Sequence, residues 1–282
     1  SPMRLLLIIL LFFKCAHSYK ILVYIPKFAI SHISFMGKLA DTLVDAGHDV
    51  TALISEMDAD LPDGTIKVTK IIRVPPAQNA DHMRKSVERS IIEEMRHCSV
   101  TGLMTVVQNA YHNSVSFSVQ CRTLLSTPGL IEQLKQDEYD ALIAESFDHC
   151  GVGISHLISP RALIPVSSTF LYNLPHFGVH YSFTTEPSTF VDGRFHTSLS
   201  SRITTIYLLL LFPAFYNTMN DPLQRVFDDL YPGTPSISSL LSNAAVIFSN
   251  TDPLIDFARP SIAKIVPIGG IGIPSPQPLE DV

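Results

Sequence analysis

His32 lies where a predicted strand is followed by a predicted helix, near the beginning of the chain. The strand, Tyr19–Ile25, is a short apolar run that ends at Pro26, as is typical of a strand buried on both faces of a parallel sheet. Ligands bind outside the carboxyl ends of such strands. The positive end of the helix dipole disfavours an imidazolium there, so this histidine is suited to accept a proton. A structural role, filling the first helical turn, also fits, and spacing alone favours it.

Two acidic residues follow another predicted strand and are candidates to support His32. The strand is Tyr139–Ala144, and Glu145 and Asp148 come after it in the sequence AESFDHC. Either carboxylate could hydrogen-bond one nitrogen of His32, fix the tautomer of the ring and stabilise the cation formed when the ring takes a proton. Position does not choose between the two acids, and two acids at a strand end are common by chance.

The loop between the first strand and the helix excludes a dinucleotide site. It reads PKFAISH and has no glycine that would let a pyrophosphate approach the helix. Metal binding is not expected, and no cofactor is predicted. His176 and His180 have i, i+4 spacing, but nearby glycine and proline residues argue against a helix, and no third ligand is close.

The helix that carries His32 is predicted to lie on the sheet with an apolar stripe. Gly47 ends it, and His48–Ile54 forms a second strand, which completes half of a doubly wound α/β domain. The stripe consists of Met36, Leu39, Ala40 and Leu43, and the polar side of Ser34, Lys38, Asp41, Thr42 and Asp45.

The remaining pattern predicts a second βαβ unit and helices that cover the sheet. Further strands are predicted at Ile66–Val74, Arg161–Ser167, Ala244–Ser249 and Ala263–Ile268. Helices are predicted within Asp81–Asn113 (one or two), at Val115–Leu125, from Thr127 through Gln136, at Gly151–Ile158 and around Phe227–Leu230. Leu174–Thr197 is predicted to be a long binding loop. Ile203–Asn217 is predicted to be a buried helix, with an interfacial membrane helix as the alternative.

The composition and the two ends of the sequence limit the partners, the cellular compartment and the domain organisation that can be expected. A net charge of −6 without a basic run argues against nucleic acid as a partner. Residues 1–18 have the pattern of a signal peptide preceded by two flanking residues, with cleavage expected after Ser18. Three cysteines then remain, Cys98, Cys121 and Cys150, so at most one disulfide is expected. Residues 19–268 are predicted to form one Rossmann-like domain, and residues 269–282 the start of an interdomain linker.

Several stretches of the chain together resemble the N-terminal half of UDP-glycosyltransferases of the glucuronosyltransferase type. They are the opening KILVYIPKFAISHISFMGKLADTLVDAGHDVT, the strands YDALIAESFDHCG and ALIPVSS, and VPIGGIGI before the predicted linker. The resemblance spans nearly the whole chain after the signal peptide. It implies the N-terminal, acceptor-binding domain of a two-domain GT-B fold, whose C-terminal domain would bind the UDP-sugar.

The resemblance also implies roles for individual residues. His32 would be the general base that deprotonates an acceptor hydroxyl, with inversion at the sugar and no metal. Glu145 stands where the family commonly has Asp, and Asp148 is the alternative partner. Acceptor contacts are implied for Phe28, Phe170, Tyr172, Pro175, His176 and Phe177.

The partners implied are a small lipophilic acceptor and, with a C-terminal domain, a UDP-sugar. The full-length protein would lie in the endoplasmic reticulum lumen in association with the membrane, and homo- or hetero-oligomers are possible. Without a donor site, this polypeptide alone is not expected to catalyse transfer. The alternative is a truncated, non-catalytic protein that binds lipophilic molecules or regulates full-length relatives.

Overall fold

The computed structural model describes residues 18–78, 100–168, 220–255 and 261–273, with the single residues 199, 203 and 217. Within these described residues, seven parallel strands form one sheet in the order β3-β2-β1-β4-β5-β6-β7. They are β1 Lys20–Lys27, β2 Asp49–Glu56, β3 Lys70–Val74, β4 Ala141–Glu145, β5 Ala162–Ser167, β6 Ile247–Ser249 and β7 Ile265–Pro267. The predicted α/β class with a doubly wound parallel sheet is confirmed.

Most helices lie near the predicted positions, with two differences: the helix Ile237–Ser242 was not predicted, and a predicted break is absent. The helices are α1 Ile30–Asp45, α2 Val100–Leu125, α3 Leu130–Gln136, α4 Cys150–Ile158 and α5 Ile237–Ser242, and residues 220–230 are also helical. The predicted break between Asn113 and Val115 is wrong, because α2 runs through it without interruption. Asn and Ser are weak helix formers, but neither removes a backbone donor as proline does, so packing can carry the helix across them.

Some predicted elements lie outside the described residues. These are the signal peptide apart from Ser18, the helical part before residue 100, the loop Leu174–Thr197, the linker beyond residue 273, and Ile203–Asn217 apart from its two terminal residues. Among the helices that the structure describes, none has the length and apolarity needed to span a bilayer.

Two apolar clusters lie on opposite faces of the sheet, and together they bury β1 on both sides. Alternate residues of β1 point to opposite faces, and Leu22 and Val23 are both inaccessible to solvent. On one face, Val23 packs in a cluster with Met36 and Leu39 of α1. On the other, Leu22 belongs to a cluster that includes residues of α2, α3 and α4. The sheet edge near His32 is therefore held from both faces.

Helix α1 ends as predicted, but its polar side is not all exposed. Gly47 has φ +87°, and its N–H and that of His48 bond to the carbonyls of Val44 and Leu43, which closes the helix. Asp41 was predicted on the solvent side and is buried. Its carboxylate accepts hydrogen bonds from the Thr65 hydroxyl and from the N–H groups of residues 66 and 67.

These contacts explain two features of the segment before β3. Burial by itself would raise the pKa of Asp41, but the hydrogen bonds from Thr65, Lys67 and Ile66 hold that pKa below its ordinary value. The same backbone groups are turned toward the carboxylate instead of a neighbouring strand. Strand β3 therefore begins at Lys70 and not at Ile66 as predicted.

A disulfide between Cys121 and Cys150 joins α2 to the first residue of α4. The sequence allowed one disulfide at most and did not say which cysteines would form it. Both residues are buried, and their Cα atoms are 5.7 Å apart, within the usual range for a disulfide. The bond links the helix that covers one face of the sheet to the end of the loop after β4.

Removal of this disulfide by Cys121→Ala with Cys150→Ala is expected to lower the free energy of unfolding. A cross-link over a sequence separation of 29 residues contributes roughly 3–4 kcal/mol by restricting the unfolded chain. Urea unfolding followed by circular dichroism measures the change. Reductant should lower the stability of the wild-type chain and leave the double variant unchanged; equal stability of wild type and variant without reductant would contradict a stabilising cross-link.

Candidate functional site

The candidate site lies where the strand order of the sheet reverses, between β1 and β4. From β1 the chain builds outward through β2 and β3, and from β4 it builds in the opposite direction through β5. The helices that follow β1 and β4 therefore diverge to opposite faces and leave a crevice at the carboxyl ends of these two strands. His32 lies in the first turn of α1, and Glu145 is the last residue of β4.

The structure brings His32 and Glu145 into contact, although they are 113 positions apart in the chain. Nδ1 of His32 lies 3.2 Å from Oε2 of Glu145. Both side chains are buried, with exposed fractions of 8% and 1%. The other oxygen of Glu145, Oε1, accepts a hydrogen bond from the N–H of Phe147 at 3.2 Å. Because both oxygens are engaged, the carboxylate has a fixed orientation toward the imidazole.

Asp148, the alternative partner, is directed elsewhere. Its Oδ2 accepts a hydrogen bond from the Tyr24 hydroxyl at 2.5 Å, and its Oδ1 accepts one from the N–H of Cys150 at 3.0 Å. Asp148 thereby connects β1 to the beginning of α4. Of the two acids that the sequence left open, the one in contact with His32 is Glu145.

Burial and a neighbouring charge alter the protonation of Asp148. Its removal from solvent raises its pKa to about 6, and the negative charge of Glu145 acts in the same direction. The hydrogen bonds from Tyr24 and Cys150 oppose this rise without cancelling it. Burial also raises the pKa of Tyr24 well above its ordinary value, so its hydroxyl keeps its proton and donates to Asp148.

A second polar group, Ser168, contacts the imidazole and was not predicted. It directly follows β5, it is buried, and its Oγ lies 2.7 Å from Nδ1 of His32. Nothing in the sequence distinguishes it from its neighbour Ser167, because both are serines at the end of the same strand. Only the alignment of β4 with β5 shows that residue 168 comes level with the site.

Three phenylalanines, called here the aromatic cluster, pack together, and two of them contact His32. They are Phe28, Phe117 and Phe147. The Phe28 and Phe147 ring centroids lie 4.5 and 5.0 Å from that of the imidazole. Phe28 is stacked on Phe147 at 5.4 Å, and Phe117 meets both rings edge-on. Phe147 is 38% exposed, so the cluster offers an apolar face to solvent next to a polar imidazole.

Phe28 is the one predicted acceptor-contact residue that the structure describes, and it lies beside His32. Phe170, Tyr172, Pro175, His176 and Phe177 lie outside the described residues. Phe117 and Phe147 were missed. Phe147 stands between the two candidate acids in the sequence, which was a usable signal, whereas Phe117 lies within a long helix and gave none.

Positive charge at the same edge of the sheet is neutralised by acids. Lys27, the last residue of β1, is buried and pairs with Glu56 at 3.1 Å and Asp63 at 3.3 Å. The hydrogen bond from Arg73 is the main reason that the pKa of Asp63 lies below its ordinary value. In the described part of the chain, no group of three or more His, Cys, Asp or Glu side chains is placed to hold a metal ion.

A family model of the UDP-glucuronosyl and UDP-glucosyl transferases matches residues 19–281 of this sequence. The chain belongs to the UDP-glycosyltransferase family. The resemblance inferred from its opening stretch and its strands is thus confirmed, and the protein falls among the glycosyltransferases.

Individual relatives in the UDP-glycosyltransferase family are distant in sequence. The protein ugt-47 of Caenorhabditis elegans is 28% identical over 95% of this chain and 50% of its own length. Human UDP-glucuronosyltransferase 3A2 is 25% identical over 89% of this chain and 48% of its own length. The chain therefore spans about half the length of the curated relatives it matches.

Solved glycosyltransferase structures also align with this UDP-glycosyltransferase chain. Phytolacca americana UGT2, complexed with UDP-2fluoro-glucose and pterostilbene, covers 90% of this chain and 55% of its own, with 15% identity and a TM-score of 0.45. The glycotransferase of kitacinnamycin covers 90% of this chain and 52% of its own, with 11% identity and a TM-score of 0.46.

Asp148→Asn is expected to change how stability depends on pH. The folded chain keeps this proton up to about pH 6, whereas the unfolded chain releases it near the ordinary value of 3.8. The folded state binds more protons between these values, so this group makes wild-type stability fall by roughly 2 kcal/mol as pH rises from 4 to 7. The variant lacks this loss. Asp41 and Asp63, whose pKa values are lowered, act at more acidic pH and in the opposite direction.

Urea unfolding at pH 4 and at pH 7 measures this difference. The control is Asp221→Asn, which removes an exposed carboxyl and should not reproduce the effect of removing a buried one. If the difference between Asp148→Asn and wild type were the same at both pH values, burial of an ionisable Asp148 would not influence folding.

Proposed function

We propose that this chain is the acceptor-binding half of a GT-B UDP-glycosyltransferase that uses His32 as a general base. The contact between His32 and Glu145 at the point of strand reversal carries this proposal. The reaction would transfer a hexosyl or glucuronosyl group from a UDP-sugar to a hydroxyl of a small lipophilic acceptor, with inversion. The UDP-sugar would be bound mainly by a second domain of the full-length protein.

The geometry suits removal of a proton from an acceptor hydroxyl. Glu145 accepts the hydrogen bond from Nδ1–H, so the lone pair of Nε2 is the basic position of the ring. Nε2 takes the hydroxyl proton as the acceptor oxygen bonds to the anomeric carbon and the bond from that carbon to the UDP oxygen breaks. The carboxylate of Glu145 stabilises the imidazolium that forms. The proton transfer and the stabilisation of the imidazolium use side chains that are already in place.

The aromatic cluster supports a lipophilic acceptor. Phe28 and Phe117 are buried behind Phe147, which keeps an accessible ring surface within 5.0 Å of the imidazole centroid. An apolar molecule that covers this surface would gain roughly 1–2 kcal/mol and would bring a hydroxyl group close to His32. The cluster would thus orient the acceptor, and His32 would activate it.

We also propose that the full-length protein works in the endoplasmic reticulum lumen, associated with the membrane. Support comes from the apolar N-terminal run and from the disulfide between Cys121 and Cys150, because disulfides persist in oxidising compartments.

His32→Gln is expected to lower kcat for glycosyl transfer by about 10²–10⁴-fold, because the variant loses the base. Glu145→Gln should lower kcat by roughly 10- to 100-fold, since a neutral amide stabilises an imidazolium less than a carboxylate does. The measurement uses this chain joined to the donor-binding half of a family member, with UDP-glucose or UDP-glucuronic acid and a phenolic acceptor.

His156→Gln, which changes an exposed histidine on α4, is the matched control and should keep wild-type activity. Retention of most activity in His32→Gln would remove His32 as the base. The alternative is a non-catalytic protein that binds lipophilic molecules. It would be favoured if the joined protein with the wild-type chain bound the acceptor but transferred no sugar to it.

Phe147→Ala is expected to raise the KM for a lipophilic acceptor by about 5- to 20-fold with little change in kcat, because the apolar contact is lost while His32 remains. The same joined protein is assayed with acceptors of increasing alkyl length. Tyr19→Ala, which removes an exposed aromatic ring at the opposite end of β1, should leave KM unchanged. A KM for Phe147→Ala equal to that of wild type would exclude the aromatic cluster from acceptor binding.

A further inference from the structure

Ser168 makes the shorter of the two polar contacts to the imidazole of His32 that the described residues provide. Its Oγ lies 2.7 Å from Nδ1, compared with 3.2 Å for Oε2 of Glu145. Ser168 is 8% exposed and lies 136 positions from His32 in sequence. Two oxygens from two different strand ends therefore converge on the same nitrogen.

The backbone that carries Ser168 is fixed by the neighbouring strand. Asn250, directly after β6, donates its N–H to the carbonyl of Ser167 at 2.9 Å. Its side-chain Nδ2 donates to the carbonyl of Ser168 at 2.8 Å. The main chain of Ser168 is thus held in place beside the imidazole.

The carboxylate of Glu145 determines which partner donates in the contact between Ser168 and His32. If Nδ1 carried a lone pair, that lone pair would face a carboxylate oxygen at 3.2 Å, and the two would repel each other. Nδ1 therefore carries the proton, and the Ser168 hydroxyl oxygen accepts it in a hydrogen bond. The imidazole then presents Nε2 without a proton.

We propose that Ser168 is a positioning residue for His32, accepting the Nδ1–H hydrogen bond together with Glu145. The catalytic consequence rests on the proposed function, whereas the tautomer does not. Glu145 supplies the charge that favours a protonated Nδ1. Ser168 supplies the short, directional contact that fixes the rotation of the ring. When Nε2 takes a proton, both oxygens stabilise the cation without having to move.

The tautomer can be measured on this chain by NMR with ¹⁵N-labelled histidine. The His32 signals are identified by their loss in His32→Gln. The wild-type spectrum is expected to show the proton on Nδ1. Ser168→Ala should shift the tautomer equilibrium toward a protonated Nε2 by about five- to tenfold, which corresponds to the loss of one hydrogen bond.

Two further variants separate the hydrogen bond from packing. Ser168→Cys keeps the shape of the side chain but replaces oxygen with a weak acceptor, so its spectrum should resemble that of Ser168→Ala. Ser155→Ala removes another buried serine hydroxyl, which bonds to the carbonyl of Val152, and should leave the His32 signals unchanged. A wild-type His32 protonated on Nε2 would overturn the proposal, as would an unchanged tautomer in Ser168→Ala.

Activity of the joined protein provides the second readout. Ser168→Ala and Ser168→Cys are expected to lower kcat by about 10-fold with an unchanged acceptor KM, because they disturb the base and not the acceptor contact. An effect on KM alone would assign Ser168 to acceptor binding and overturn its positioning role. If His32→Gln kept its activity while Ser168→Ala still shifted the tautomer, the proposed function would fail and the hydrogen bond would stand.

Discussion

The parallel pairing of β1 with β4 is the constraint on which the site depends. Tyr24 pairs with Ala144, so the next residues of both strands reach the same edge of the sheet side by side. Strands β2 and β3 continue on one side and β5 to β7 on the other, and the helices after β1 and β4 therefore leave in different directions. The crevice between these two helices therefore follows from the strand order, and the side chains at the ends of β1 and β4 line it.

The two buried acids at and after the end of β4 each have their own hydrogen-bond partners. Glu145 has partners in His32 and the backbone of Phe147, and Asp148 has partners in Tyr24 and the backbone of Cys150. Each acid therefore has one side-chain donor and one backbone donor. Burial is the main cause of the raised pKa of Asp148, and the negative charge of Glu145 acts in the same direction. This division leaves Glu145 free for the imidazole.

Much of this arrangement could be predicted from the sequence, because strong local patterns determine it. The apolar run of β1, the stripe of α1 and the glycine after it located His32 correctly. The predicted strand Tyr139–Ala144 and the sequence after it limited the partner of His32 to two acids. The sequence could not show which of the two acids contacts His32. That depends on Tyr24, which lies 124 positions from Asp148 and holds its carboxylate in a hydrogen bond away from His32. Ser168 and Phe117 could not be found either, since strand register places Ser168 beside His32 and helix packing places Phe117 against Phe28 and Phe147. Asp41 was misassigned for a related reason: a polar residue on a helix can be buried when a loop donates hydrogen bonds to it.

The disulfide has a consequence for how acceptor preference can change within such a protein. Cys121 lies four residues after Phe117 on α2, and Cys150 lies three residues after Phe147. Two rings of the aromatic cluster are thus carried by segments that are covalently tied to one another. If two relatives exchanged only the sequence of α2, Phe117 would be replaced and its disulfide partner would not be exchanged with it. If they exchanged α2 together with the segment from β4 to α4, both rings and both cysteines would be exchanged together.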